Sequence, residues 1–566
     1  MDTPRLHTLI GLVVLAVAAC APTSASTSSG RDAPQAAPIQ RLLVGGLRAE
    51  SSTVALRPPG AGFTVNTLTN RIFNADLARI DDRGQPQPHL AEGLPQLGTE
   101  NWKVLPDGRM EVTWRFRPSI VWQDGTPLSM QDFLFAWQMY RRPEYVSGTT
   151  QFAKVIREVA APDEGTLVVS YRAPFPDALT DTLPPLPRHL LADAFERDEP
   201  SAFAHQPYWS TAYVGLGPWR LAHWEPGAFL EGAAFDQHVL GRPKIDRIRI
   251  VFIGDSNAAL ANTLAGEVHF STAGTFISVE QGQELKRQWD QADGGTVALY
   301  GNSWRLAAFQ FRPEFASPPG LLDARVRKAL AYGVDKQAIV ETIFGPGSGL
   351  AVDFFVQPDS IYGGPNLAAG VTKYAYDPGR VDPLMTEAGY VKGGDGIYAN
   401  VDGRFQVKVE TAVGREDMTI MASDWRKVGF DAQPSELPAA LAQDAASRNL
   451  FSGLSLYTNP QISTIHVLHS SQCPKADSGY RVGENRGCWQ NSEFDRISGA
   501  FATTLDPRER AAQVLAMARV YTQELPQIPL YLAPQVHFWV SGLAGIKIPG
   551  SDGDNNTNMW EWEWAR

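Results

Sequence analysis

Apolar residues occupy every second position of one early segment of the chain. Met110, Val112, Trp114 and Phe116 share one side of this segment, and charged or polar residues occupy the other. This period of two is typical of a strand with one buried face. An Asp-Gly turn follows, and Ser129 then precedes apolar residues at helical spacing, which indicates a capped helix. The pattern therefore predicts a strand, a turn and a helix in succession.

The same alternation between strand and helix patterns returns along the rest of the chain. Further strands are predicted over residues 248–252, 405–409 and 528–532, with a returning strand near Phe430. Helices are predicted over residues 257–265, 323–330, 335–343, 418–428 and 507–525. Because helices and strands are mixed throughout and no internal repeat is visible, the sequence predicts an α/β fold.

Composition narrows the class of protein. The chain has 566 residues, of which 43% are hydrophobic and 20% are charged, as in soluble globular proteins. Its formal net charge of -11, without clustered lysine and arginine, opposes binding to nucleic acid, so no nucleic-acid partner is expected. Beyond the first twenty residues, no apolar run reaches the roughly 18 residues that a membrane-spanning helix needs.

The amino-terminal segment predicts export. Residues 9–19 are apolar, follow Arg5 and end in small residues just before Cys20, so residues 1–19 are predicted to be a signal peptide. This stretch resembles the lipobox of bacterial lipoproteins, which implies a lipid on Cys20 and an extracytoplasmic, membrane-anchored protein. Residues 20–39 are rich in Ser, Thr, Ala and Pro and are predicted to be a disordered tether. The alternative is a buried helix with a chance cysteine.

Two further cysteines remain in the chain. Cys473 and Cys488 lie in a polar, glycine-rich segment, and in an exported protein a disulfide between them would persist. His466 and His469 precede this segment, so a Cys/His metal site is the alternative. Their spacing is not that of a zinc finger, and we expect a disulfide, with no metal and no cofactor.

Several longer motifs share the order and spacing of one known family. They are Leu90-Ala91-Glu92, Trp102, Asp107-Gly108, Trp114-Arg115-Phe116-Arg117, Trp122-Gln123-Asp124-Gly125-Thr126-Pro127-Leu128-Ser129 leading to Asp132, Gly215-Leu216-Gly217-Pro218-Trp219, Leu264-Ala265-Gly266-Glu267-Val268, and Asp323-Ala324-Arg325-Val326-Arg327-Lys328-Ala329-Leu330-Ala331-Tyr332. On these motifs the chain resembles the family 5 extracellular solute-binding proteins, the dipeptide-, oligopeptide- and nickel-binding receptors of ABC importers. The resemblance covers most of residues 40 to 535.

The resemblance implies a two-lobed periplasmic-binding-protein fold of type II, in the large cluster with an extra subdomain. The ligand would lie in the cleft between the two α/β lobes, and closure of the lobes would signal that the receptor is loaded. Mapped by order, lobe I comprises residues 40–72, 205–300 and 535–566, its inserted subdomain residues 73–204, and lobe II residues 301–534. The hinges are expected near Leu306–Phe311 and Leu530–Pro534.

The chain departs from the family at one position that matters for the ligand. Peptide receptors of this family usually carry an aspartate after a Trp-Ser-Ala-like stretch, and its carboxylate pairs with the amino terminus of the peptide. Here the matching residues 453–460 read Gly-Leu-Ser-Leu-Tyr-Thr-Asn-Pro, with no carboxylate. A buried ammonium group without a counter-charge costs several kcal/mol. A peptide ligand therefore needs another anchor, or the ligand is another solute.

Five residues become candidate ligand contacts by their place in the resemblance. Tyr457 and Asn459 stand in the changed stretch, and Asn302, Trp304 and Arg305 stand ahead of a predicted hinge. Trp304 would suit stacking on a sugar or aromatic solute, and Arg305 would suit an acidic group on the ligand. Packing in a core remains the alternative for each tryptophan.

The function predicted from these features is that of a substrate-binding lipoprotein of an ABC importer. Its partners would be a peptide or another small molecule, the permease and ATPase subunits of the importer, and the membrane through Cys20; a monomer is expected. The sequence contains no P-loop, HExxH or G-x-S-x-G motif, so no catalytic residue is predicted. A sensory receptor or an extracellular hydrolase on a similar fold is the alternative.

Overall fold

The computed structural model describes residues 41–59, 66–145, 152–272, 275–346, 350–357, 360–412, 414–442, 444–460, 463–550 and 556–565. Residues from Arg41 onward form one compact unit. The predicted signal peptide, the tether and the lipidation site at Cys20 lie outside the described residues. Within the described ranges, every helix is too short or too polar to cross a membrane.

Strands and helices alternate along the described chain. The strands are β1 (Leu42–Leu47), β2 (Ala78–Ile80), β3 (Pro86–Pro88), β4 (Trp102–Val104), β5 (Met110–Arg115), β6 (Ile156–Asp163), β7 (Thr166–Tyr171), β8 (Trp219–Glu225), β9 (Phe229–Ala234), β10 (Arg247–Phe252), β11 (Phe270–Ser271), β12 (Gly295–Phe309), β13 (Val391–Lys392), β14 (Tyr398–Asn400), β15 (Gly403–Arg404), β16 (Gln406–Thr411), β17 (Asp431–Glu436), β18 (Leu454–Pro460), β19 (Gln527–Val540), β20 (Leu543–Ala544) and β21 (Glu563–Trp564). The helices are α1 (Thr67–Phe73), α2 (Met130–Tyr140), α3 (Phe152–Val155), α4 (Arg188–Arg197), α5 (Pro200–Ala204), α6 (Ser256–Leu264), α7 (Val279–Ala292), α8 (Ala324–Tyr332), α9 (Lys336–Phe344), α10 (Pro365–Gly370), α11 (Val381–Glu387), α12 (Glu416–Val428), α13 (Ala439–Ala442), α14 (Ala445–Asn449), α15 (Ser463–Val467), α16 (Ser492–Phe501) and α17 (Pro507–Glu524).

One large sheet runs through the molecule. Its ten strands lie in the order β17-β16-β18-β12-β19-β11-β1-β10-β9-β8. The strands from β11 to β8 come from the predicted lobe I, and β16, β17 and β18 come from the predicted lobe II. β12 and β19 stand between the two groups and pair with each other along most of their length. These two long strands therefore connect the two halves of the sheet.

The pairing of β12 with β19 changes partway along. Residues 295–300 of β12 pair with residues 535–540 of β19, and the register then shifts between Tyr300 and Ser303. A second shift lies between Arg305 and Leu306. On β12, the first shift lies just ahead of the predicted hinge at 306–311. On β19, it lies between Ala533 and Gln535, at the end of the predicted hinge at 530–534. A register shift leaves backbone groups locally unpaired and bends a strand.

Each half of the sheet has its own apolar core. On the predicted lobe I side, the core continues from Leu43 of β1 to Trp114 of β5, within the four-stranded sheet β4-β5-β7-β6. That second sheet lies in the predicted insertion, residues 73–204. On the other side, α8, α12 and β16 share one core, and α16, α17 and one face of β12 share another. Because each half of the sheet buries its own apolar residues, the structure supports two bodies that are joined by the shared strands β12 and β19.

Most of the predicted elements are confirmed. The α2 helix begins with a capping box, in which the backbone N–H of Ser129 donates to Asp132 Oδ2 at 2.9 Å. Asp323 and Asp335 cap α8 and α9 with their side chains, and α12 ends at Gly429, whose φ of 110° suits glycine. Two predictions were incomplete, since the strand predicted over 528–532 extends to Val540, and β12 was foreseen only around its predicted hinge.

Candidate ligand-binding site

The candidate residues of β12 and β18 lie on two different faces of the sheet. These strands pair antiparallel, with Trp304 opposite Asn459, Leu306 opposite Tyr457 and Arg305 opposite Thr458. Residues directly opposite each other share a face, and successive residues alternate between faces. Trp304, Tyr457 and Asn459 therefore share one face, whereas Arg305 lies on the other.

Trp304 is part of a core. Its side chain is 0% exposed, and its ring centroid lies 5.9 Å from that of Phe355 and 6.4 Å from that of Tyr521. The indole thus packs among aromatic rings on the side of β12 that faces α17. Asn302 lies in β12, and its side chain is outside the described part of the structure. Neither residue presents a described side-chain surface to a solute.

Arg305 is engaged in a buried ion pair. Its Nε donates to Asp417 Oδ2 at 2.6 Å, and its Nη2 donates to Thr411 Oγ1 at 2.9 Å. The hydroxyl of Tyr531 donates to the same Asp417 oxygen at 2.9 Å. Arg305 is 5% exposed and Asp417 is 1% exposed. A ligand carboxylate would have to replace Asp417 to reach this guanidinium.

Tyr457 lies beneath a different arginine. The guanidinium carbon of Arg486 stands 3.9 Å from the centroid of the Tyr457 ring, in cation–π geometry. Gln527 Nε2 donates to the Tyr457 hydroxyl at 3.0 Å and holds the ring in place. Burial raises the pKa of Tyr457 and lowers the pKa of Arg486. Both shifts have the same physical cause, since burial disfavours the charged form of each group.

A cavity of about 560 Å³ opens beside these two residues and is called here the Arg486 cavity. Its lining residues are Ala445, Arg448, Asn449, Asn459, Arg481, Gly483, Glu484 and Arg486. Three arginines against one glutamate make it locally positive, within a protein whose formal net charge is -11. Local charge opposite to that of the whole protein favours an anionic occupant.

The three arginines differ in their partners. Arg481 forms an ion pair with Asp444, and Arg448 Nη1 donates weakly to the carbonyl of Ala442 at 3.4 Å. Across the part of the chain that the structure describes, the Arg486 guanidinium has the Tyr457 ring as its contact and forms no hydrogen bond or ion pair. Among the described residues Arg481 is the one of the three that forms an ion pair, and the Arg486 guanidinium has neither an ion pair nor a hydrogen bond.

Asn459 contributes a second unsatisfied group. Its Nδ2 atom is buried and has no hydrogen-bond acceptor among the described residues. An unsatisfied buried donor costs about 1–3 kcal/mol unless another molecule supplies the acceptor. The cavity thus combines a cation and an amide donor, both lacking an acceptor.

The loop that carries Arg486 is held rigidly against β12. A disulfide joins Cys473 to Cys488 at its two ends. The buried side chain of Arg312 donates to the carbonyl of Arg486 at 2.7 Å and to that of Pro474 at 3.2 Å. At Gly487 a Cβ atom would stand 2.0 Å from the carbonyl oxygen of Phe309, so only glycine fits this contact.

Sequence reasoning missed Arg486 and Arg448 as site residues. Arg486 is close to Tyr457 in space but follows it by many positions in the chain, so no local spacing joins them. The signal that could have found Arg486 is the disulfide segment, because a loop closed by two cysteines is fixed in place and reaches the changed stretch. With Cys473 and Cys488 in a disulfide, neither thiolate is available to a metal.

The chain is similar in sequence and in structure to known proteins. Residues 86–461 match the family model described as bacterial extracellular solute-binding proteins, family 5 Middle. A putative ABC transporter peptide-binding protein of Brucella ovis is 26% identical over 297 residues, which cover 52% of this chain and 51% of that protein. The match thus spans about half the length of this curated relative.

Two further matches extend over nearly the whole chain. The oligopeptide-binding protein AppA of Bacillus subtilis is 23% identical over 519 residues, covering 87% of this chain and 89% of AppA. The crystal structure of NikZ from Campylobacter jejuni in complex with Ni(L-His) is similar with a TM-score of 0.71 and 21% identity, covering 92% of this chain and 99% of NikZ. The structural likeness supports the two-lobed fold.

Proposed function

The chain belongs to the bacterial extracellular solute-binding proteins, family 5, and from this premise we propose that it captures a small solute and delivers it to an ABC importer. The solute binds in a cleft between two lobes, whose boundaries we propose as given by the sequence: residues 40–72, 205–300 and 535–566 against residues 301–534. Because family members are transport binding proteins, no catalytic role is proposed.

The observation that carries this proposal is the pair of strands shared by the two halves of the large sheet. β12 and β19 pass from one half into the other, and their register shifts between Tyr300 and Ser303. Two bodies that each bury their own apolar cores can rotate about the two strands that connect them without breaking those cores. A solute that contacts both bodies stabilises the closed form by its differential affinity, and an importer can then recognise that form.

The Arg486 cavity lies at the end of the second half of the sheet that is nearest the first. β18 begins at Leu454, which pairs with Phe309 of β12. It ends at Pro460, which pairs with Ser303, where the register between β12 and β19 shifts. Asn459, one residue from that end, lines the cavity. A solute in this cavity would be next to the strands about which we propose the lobes move.

The names of the relatives bound the size of the solute. The proteins matched here are named for peptides and, in one structure, for a nickel–histidine complex. We propose a solute of this size range for the present chain, with its chemistry set by the residues of its own cavity.

We also propose that lipid on Cys20 anchors the protein to the outer face of the cytoplasmic membrane or to the cell surface. The small residues before Cys20 and the polar tether after it support this anchoring. In cell fractionation, the wild-type protein should be found with the membranes, and Cys20→Ser should lose metabolic labelling by palmitate. A variant that is still labelled would contradict the assignment of Cys20.

Capture by closure is tested with a screen and a shape measurement. The purified protein is heated with di- and tripeptides, oligosaccharides, polyols, opine-like conjugates and metal chelates. A true ligand at a hundredfold excess over its Kd should raise stability by about 2.7 kcal/mol. Small-angle X-ray scattering with the same ligand should show a smaller radius of gyration.

Two results would contradict the proposed function. If every class of solute leaves the melting temperature unchanged, the protein is not a receptor for small solutes of this range. If a solute stabilises the protein but the radius of gyration stays constant, binding does not close the lobes. A solute that fails in the thermal screen provides the matched control for the scattering measurement.

A further inference from the structure

We propose that the solute carries an anionic group, a carboxylate or a phosphate, which binds Arg486 above the ring of Tyr457 and accepts a hydrogen bond from Asn459. This inference rests on the proposed function and specifies the chemistry of the ligand. It also implies that the charge preference of this cavity is opposite to that of a pocket in which a carboxylate receives the amino terminus of a peptide.

The charge balance of the Arg486 cavity favours an anion. Arg481 is neutralised by Asp444. Arg448 and Arg486 then face Glu484 as the remaining charged groups of the lining, which leaves the cavity positive. An ammonium group in this cavity would meet like charges, whereas an anion would be attracted to both arginines.

The Tyr457 ring covers one side of Arg486. The guanidinium carbon stands 3.9 Å from the ring centroid, in cation–π contact. The N–H groups at the edge of a guanidinium are arranged as a planar fork that matches the two oxygens of a carboxylate or phosphate. Among the described residues no oxygen forms a hydrogen bond or ion pair with this fork, so the fork can receive an anion, and Glu484 in the same lining is the carboxylate with which that anion competes for the guanidinium.

A neighbouring amide also lacks an acceptor. Asn459 lines the same cavity, and its buried Nδ2 has no acceptor among the described residues. An anionic oxygen would satisfy this donor together with Arg486. A buried donor without an acceptor costs free energy because it has lost its hydration. One anion that accepts from both donors would remove both costs.

The site is built before the ligand arrives. Arg312 is 6% exposed and donates to the carbonyls of Arg486, Pro474 and Asn449, which ties the disulfide loop to α14. Gln527 fixes the Tyr457 ring. A preorganised cation loses little entropy when it binds, so its binding energy appears as affinity.

The test uses two pairs of probes, each of which joins an anionic probe to a neutral or cationic one of similar size. The peptide probes are N-acetyl-trialanine, which keeps the free carboxylate, and trialanine amide, which keeps the free ammonium group. Glucose 6-phosphate and glucose form the second pair, which distinguishes a phosphate from a carboxylate source. We expect the anionic member of at least one pair to raise the melting temperature, and its neutral or cationic partner to have no effect.

Variants connect the effect to Arg486. Arg486→Gln should weaken binding of the stabilising probe at least about tenfold, since a hydrogen bond to a charged group contributes enough for such a change. Arg486→Lys should restore part of the affinity, because it keeps the charge but loses the fork. Arg508→Gln, which changes an exposed arginine on α17, should bind like the wild type. Melting of the unliganded variants checks that each is folded.

The outcomes separate this inference from the proposed function. If trialanine amide or glucose stabilises the protein while the anions do not, the receptor function stands and the anion site is wrong. The same conclusion follows if an anionic probe binds Arg486→Gln as tightly as the wild type. If none of the four probes binds at millimolar concentration, the anion site is likewise wrong, and the wider solute screen then decides whether the receptor function is also lost.

Discussion

Two arginines on opposite sides of one pair of strands show two ways to place a cation in a protein. Arg305 lies on one face of β12, where Asp417 and Thr411 bind its guanidinium. Arg486 lies over Tyr457, whose strand position belongs to the opposite face, and has no counter-charge in contact among the described residues. The first arginine has its acceptors within the protein, and the second has acceptors still to be supplied.

The two arginines differ in whether the charge serves the fold or a ligand. A buried ion pair with both partners in place stabilises the local arrangement of β12, α12 and β19, and its removal harms the fold. A cation that is held in position by its backbone but lacks an acceptor contributes little to folding. A ligand that supplies the acceptor explains its position. Both residues are arginines, so residue type alone does not distinguish a structural role from a binding role.

The largest effect is expected when the ion pair on the first face is broken. Asp417→Ala leaves the buried guanidinium of Arg305 without a counter-charge and should lower the free energy of unfolding by about 3–5 kcal/mol. Chemical denaturation followed by tryptophan fluorescence measures this change. If Asp417→Ala unfolds at the same denaturant concentration as the wild type, the comparison between the two arginines fails.

Arg486→Gln is the matched variant for the same measurement. Removing a charge without an ionic partner should change the free energy of unfolding by less than about 1 kcal/mol, in the range of ordinary substitutions outside the core. A loss as large as that of Asp417→Ala would show that Arg486 is a structural residue. The anion site proposed above would then lose its main support.

An effect on stability between those of Asp417→Ala and Arg486→Gln, with an additional effect on binding, is expected from the disulfide. Arg305 is positioned by a strand, whereas Arg486 is positioned by a loop that the bond between Cys473 and Cys488 closes over a separation of 15 residues. Replacing both cysteines by alanine should lower the free energy of unfolding by about 3 kcal/mol in the chain-entropy model. The affinity for the anionic probe should fall as well, which titration calorimetry measures.

Chemical reduction is the control for the double variant. The wild-type protein treated with a phosphine reductant should show the same loss of affinity, while Asp290→Ala, which breaks an exposed ion pair with Lys286 on α7, should leave the affinity unchanged. If the double variant is less stable but binds the anion with undiminished affinity, Arg312 and Gly487 are sufficient to position the loop without the disulfide.

Local patterns in the sequence predicted much of the fold. The capping residues Ser129, Asp323 and Asp335 mark their helices because the physics of a helix start involves only residues within one turn. The two long strands were predicted only in part. β12 and β19 change neighbours along their length, so no single alternation of apolar and polar residues describes either strand.

The candidate site was predicted in part for a similar reason. The absence of a carboxylate near Tyr457 and Asn459 is visible in the sequence, and the structure places Asn459 on the cavity and Tyr457 beneath Arg486. Trp304 and Arg305 were proposed as contacts from their position, and the structure shows them in a core and in an ion pair. Whether an arginine has a partner depends on residues far apart in the chain, which sequence spacing does not report.

The α/β class, the boundaries of most helices and the family to which the chain belongs follow from local periodicity, caps and ordered motifs. The three-dimensional fold selects which arginine is neutralised and which remains available. That decision depends on the pairing of β12 with β18, which sends neighbouring residues to opposite faces, and on the disulfide loop, which brings Arg486 to Tyr457. A charged side chain is neutralised only by a group that lies close to it in space, and the fold determines which groups are close.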